Sequence, residues 1–60
     1  MRDEQKLYYE ARRAGFMLVI IKDTANYWLG RWMGDSWKAE ELNGTTFLTA
    51  SEVRQIIKAG

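Results

Sequence analysis

Tyr27-Trp28-Leu29-Gly30-Arg31-Trp32-Met33-Gly34-Asp35-Ser36-Trp37 contains all three tryptophans of the chain. Successive residues of a strand point to opposite faces. Read as a strand, the stretch puts Trp28 and Trp32 on one face with Gly30 between them. Tyr27, Leu29, Arg31 and Met33 take the other. A helix would also align Trp28 with Trp32, since they are four residues apart. The glycines at 30 and 34 disfavour that helix, and the aromatics favour a strand. A glycine between two indoles leaves room for a ring to lie over the backbone, or for a partner to approach it closely. Two readings of the tryptophans follow: they fill the core of a small domain, or one face stays open as a binding platform.

Upstream, Phe16-Met17-Leu18-Val19-Ile20-Ile21 is short, rich in β-branched residues and apolar on both parities. Such a run predicts a strand covered on both sides. Helices can cover one side. The other requires the tryptophan-rich hairpin to fold over it, or a second subunit. Asp23-Thr24-Ala25-Asn26 is a turn, with Asp and Asn bonding locally to backbone. The two runs therefore pair antiparallel, the second spanning Tyr27 to Met33.

The flanks read as helices. Asp3 to Ala14 has Asp3 as N-cap, Glu4 in the first turn, and Arg12 and Arg13 in the last, where cations suit the dipole. Leu7, Tyr8, Ala11 and Ala14 make its apolar stripe. Gly15 is placed to end it in a left-handed conformation. At the other end, Thr49-Ala50-Ser51-Glu52 fits a capping box, and Leu48 is placed to pack on Val53 as a hydrophobic staple. Val53, Ile56 and Ile57 form the buried stripe, Lys58 lies in the last turn, and Gly60 ends the chain. The segment from 37 to 42 is ambiguous. Asp35 or Ser36 can cap a short helix there, or the segment can pair with 45–48 through Asn43-Gly44. The reading adopted is a loop or single turn followed by a strand at 45–48. The whole predicts a single α+β domain over residues 1–60: an N-terminal helix, an antiparallel sheet of two to three strands, and a C-terminal helix packed on the sheet.

Size and composition narrow the chemistry. A chain of 60 residues is one small domain, marginal by itself because little of its surface can be buried. It has no Cys and no His, which leaves a dense aromatic core or association as its means of support. The absence of His and Cys excludes Ser-His triads and Cys nucleophiles. Ser36 and Ser51 read as a turn residue and a first-turn helix residue. Glu40 and Glu41, adjacent on a strand, point apart. No glycine-rich phosphate loop is present, and Asp23, Asp35 and Glu41 match no calcium loop. The expectation is a non-enzyme without cofactor or metal. The longest apolar run is too short for a bilayer, which takes about 20 residues. No secretory pattern opens the chain, so the expected compartment is the cytoplasm.

Binding remains. Trp, Tyr, Met and Arg are enriched at interface centres, and the quoted stretch has all four. The expected site is Tyr27, Trp28, Arg31, Trp32 and Trp37, engaging a protein partner, with the chain itself a homodimer. The alternative is a nucleic-acid surface in which Arg12, Arg13, Arg31 and Lys38 neutralise phosphates while the aromatics stack bases. Arg2 and Lys6 would add to it. A net charge of +1, with Glu10, Glu40 and Glu41 among the bases, is unlike a dedicated nucleic-acid binder.

A strand ending in Ile21-Lys22, then Tyr27-Trp28, then Trp37, then Phe47-Leu48-Thr49 and a short helix with Glu52-Val53 resembles many small uncharacterised phage and mobile-element proteins. The resemblance covers roughly residues 19–58. It implies a compact phage-type protein that acts by binding a host or phage protein, and brings no catalytic residues.

Overall fold

Gly15 takes a positive φ of 92° and ends the first helix, so that chain direction reverses straight into a strand. In the computed structural model, which describes residues 3–59, the order is α1 (Asp3–Arg13), β1 (Phe16–Ile20), β2 (Tyr27–Trp32), β3 (Trp37–Ala39) and α2 (Ala50–Ala59). Arg2 and Gly60, named above, lie outside the described residues. The strands form one antiparallel sheet in the order β1-β2-β3. Both helices pack against it, α1 on β1 and α2 on β2. The fold is the expected α+β arrangement.

The register decides which side chains meet. Phe16 stands opposite Arg31, Leu18 opposite Leu29 and Ile20 opposite Tyr27. These residues share the helix-facing side. There Phe16, Leu18, Tyr27 and Leu29 meet Leu7 and Ala11 of α1, Val53 of α2, and Leu48 in one buried cluster. Leu42, Ile56 and Ile57 pack around its margin. Glu10 of α1 and Arg54 of α2 join the two helices through a 3.3 Å ion pair. Both are well exposed, so the pair contributes under about 1 kcal/mol.

Three expectations need correction. The third strand is β3 at 37–39, not 45–48. It follows a tight turn in which Gly34 takes a φ of 99° and the Met33 N–H donates to the Ser36 carbonyl at 2.8 Å. Pairing with β2 overrides the helical preference of Lys38 and Ala39. The Asn43-Gly44 turn does form, with both residues at positive φ, but it closes only the single bridge between Leu42 and Thr45. Leu48 is held instead by a bridge to Tyr27, with its N–H donating at 3.0 Å and its carbonyl accepting at 2.7 Å. Second, the α1 stripe is narrower than expected: Leu7 and Ala11 are buried, whereas Tyr8 and Ala14 are exposed. Third, β1 is covered on one side only within the chain, and Val19 is 44% exposed.

The capping box is present. The Thr49 N–H donates to Glu52 Oε1 at 2.9 Å, and the Glu52 N–H donates to Thr49 Oγ1 at 3.2 Å. Leu48 and Val53, the expected staple, both lie in the core. Two of the backbone donors at the start of α2 are thus satisfied next to the residue that pins the preceding loop.

Candidate functional site

An antiparallel sheet with one solvated face usually turns apolar residues inward and polar residues outward. This sheet does not. Met17 pairs with Gly30 and Val19 with Trp28 across β1 and β2, while Gly30 pairs with Ala39 and Trp32 with Trp37 across β2 and β3. These seven residues occupy the side away from the helices, and none carries a charge. The sheet's charged residues, Arg31 and Lys38, pair with each other on the helix side.

The bare face has relief. A Cβ placed on Gly30 would lie 2.5 Å from Cη2 and 2.6 Å from Cζ3 of Trp28. The outer edge of the Trp28 indole therefore occupies the space that the missing Gly30 side chain leaves. Trp32 and Trp37 stand beside it at one end as an edge-to-face pair, with ring centroids 5.2 Å apart at 61°. Such a pair adds about 0.5–1.5 kcal/mol beyond its burial. Trp32 is still 50% exposed and Trp37 42%.

The Gly30–Trp28 contact is testable. Gly30→Val must push the indole off the strand and is expected to lower stability by about 1–3 kcal/mol, the usual cost of overpacking. Measured with Trp32 and Trp37 both replaced by Phe, the emission of Trp28 shifts to the red as the ring enters water. Unchanged emission would show that the ring does not rest on Gly30.

The structure separates the expected site residues. Trp28, Trp32 and Trp37 share the bare face. Tyr27 is buried in the core beneath α2 and Leu48, so its ring is not available to a partner. Arg31 also points to the helix side. Its guanidinium lies 4.9 Å from the Phe16 ring centroid, and its Nε donates to Glu40 Oε1 at 2.6 Å. Parity in the sequence already put both residues opposite the tryptophans. The basic alternative divides too. Arg12 borders a shallow groove of about 280 Å³ that it lines with Gly15, Phe16, Met17 and Trp37, and its Nη1 donates to the Tyr8 hydroxyl at 3.4 Å. Arg13 is exposed on α1, and Lys38 is exposed beside Arg31.

Met17 and Val19 belong to the bare face and were not among the expected site residues. Their signal was present: a strand apolar on both parities in a chain with too few elements to cover both sides. Among the described residues, no group of three or more acidic, His or Cys side chains is placed to hold a metal, and no helix is long and apolar enough to cross a membrane. Comparison of the chain with protein-family models, with curated proteins and with solved structures finds no match in any of the three.

Proposed function

We propose that this chain is a non-enzymatic protein-interaction module that works through the bare face of its sheet. The observation that carries this reading is the inversion of the usual pattern: Met17, Val19, Trp28, Trp32 and Trp37 face solvent where polar residues normally stand. A contiguous exposed apolar patch marks an interaction site, and tryptophan is the residue type that most often dominates interface energy. The phage-type resemblance points the same way, to action by binding a protein. The nucleic-acid reading has less support, because Arg31 and Lys38 lie on the side opposite the tryptophans and Arg31 is already neutralised by Glu40.

The test is retention of protein by the immobilised chain from nuclease-treated bacterial lysate supplemented with the free chain. Protein, whether the chain itself or another, is expected on the wild type and on Tyr9→Asp, which alters an exposed residue of α1. It is expected to be lost on Trp32→Asp. Retention that is indifferent to Trp32→Asp removes the bare face from the reading. Retention of nucleic acid from a parallel untreated lysate, abolished by nuclease and by salt, replaces the reading with the basic alternative, since phosphate contacts weaken steeply with salt.

A further inference from the structure

We infer that the occupant of the bare face is a second copy of this chain, giving a two-fold dimer in which the sheets pack face to face and the helices lie outside. The inference rests on the proposed association through that face and names its partner.

The first argument is electrostatic. A two-fold interface lays one patch on a copy of itself. A charged residue near the axis would meet its own copy, and like charges set against each other destabilise the contact. The strand positions of the bare face include no charged residue, although nine basic and eight acidic residues occur in the chain. The strand positions thus offer nothing to select a partner of either sign; Arg12 lies at the margin, in the groove beside Met17 and Trp37, and not at the centre of the face.

The second argument is shape. Sheets that pack face to face lie about 10 Å apart, with side chains interleaved. The Trp28 indole fills the space above Gly30 that a side chain would otherwise take, so that the centre of the face is already occupied by an apolar ring. Trp32 and Trp37 stand at one end of β2 and β3, while Val19 sits toward the other. When a copy is turned end for end, the Trp32–Trp37 end of each sheet lies toward the Val19–Trp28 end of the other.

The third argument is area. Large aromatic side chains each carry roughly 150–250 Å². Half of Trp32, two fifths of Trp37 and of Val19, and the partly exposed Met17, Trp28 and Ala39 together expose on the order of 400 Å² of apolar surface. A standard stable interface takes about 800 Å² from each partner, centre and rim together. The bare face therefore supplies an apolar centre of the right size, and the polar rim around it supplies the remainder. The pairing also answers the small core: with neither disulfide nor metal ligands of the Cys or His type, association buries apolar surface that these 60 residues leave open.

Sedimentation equilibrium of the wild type from low micromolar to submillimolar concentration is expected to show a reversible monomer–dimer equilibrium, with Trp emission moving to the blue as the dimer forms. Val19→Asp and Trp32→Asp each place a charge on the axis-facing side and are expected to weaken the dimer by tenfold or more. Both sites are exposed in the monomer, so circular dichroism should stay that of the folded wild type, and Tyr9→Asp should dimerise as the wild type does. A wild type that remains monomeric over the whole range overturns the inference, as does a folded Val19→Asp chain that dimerises normally. If the chain is monomeric but retains a foreign protein in a manner that Trp32→Asp abolishes, the second copy is wrong and the association reading stands. If neither the chain nor a foreign protein binds through this face, both fail.

Discussion

Leu29→Ala is expected to remove a large share of the stability of the chain, about 2–5 kcal/mol. Leu29 is fully buried at the centre of the central strand. It stands opposite Leu18, its carbonyl accepts the Glu40 N–H at 2.8 Å, and its side chain fills the layer between sheet and helices. Truncating a buried leucine to alanine costs about 2–5 kcal/mol, through lost transfer free energy and the cavity left behind. Domains have roughly 0.05–0.15 kcal/mol of stability per residue, or about 3–9 kcal/mol for this chain. The loss is therefore a large share of the total, and the whole of it toward the low end of that range. Urea denaturation followed by circular dichroism checks it, at one fixed protein concentration because association would add to apparent stability. A midpoint within experimental error of the wild type would mean that the core is not centred on β2.

The second large effect separates two neighbours that sequence alone treats alike. Phe47 and Leu48 are both large and apolar, but Phe47 is 57% exposed and Leu48 is fully buried. Leu48 also exchanges both backbone hydrogen bonds with Tyr27. Leu48→Ala is expected to cost about 2–5 kcal/mol, and Phe47→Ala to stay within about 0.5 kcal/mol, as exposed substitutions do. Because the Leu48 side chain anchors its own backbone, the variant should also lose hydrogen-exchange protection at the Tyr27 amide before global unfolding. Equal effects at 47 and 48 would contradict the placement of this loop.

These two residues show where the sequence is legible. The helices announce themselves by periodicity and caps: Leu7 and Ala11 recur at helical spacing, and Thr49 with Glu52 forms the capping box that the structure contains. β1 and β2 are legible because their residues are β-branched, aromatic and closely spaced about a short turn. β3 is not. Trp37-Lys38-Ala39 is too short to show a period, and its residues favour a helical turn; it is a strand only because β2 offers hydrogen bonds there and Trp32 offers a ring to Trp37. Leu48 is bound by a single bridge, which no local pattern encodes. At the bare face, parity correctly grouped Trp28 with Trp32 and left Tyr27 and Arg31 opposite. Composition drew all of them into one expected site, because interface-prone residue types say nothing about the side of a sheet on which they fall.

The order in which the core is completed has a further consequence. Leu48 and Val53 close the buried cluster from beyond the sheet, and Glu10 reaches Arg54 across 44 positions of sequence. A ribosome delivers α1 and the hairpin first, when the helix-facing side of β2 still lacks its cover. Until α2 emerges, the nascent chain presents apolar surface on both sides of the sheet. Chaperones and neighbouring chains can reach that surface until α2 docks. The long-range closure also delays the rewarding contacts until late in folding. The partly folded species in which α2 has not yet docked is thus the one at greatest risk of aggregation for this protein.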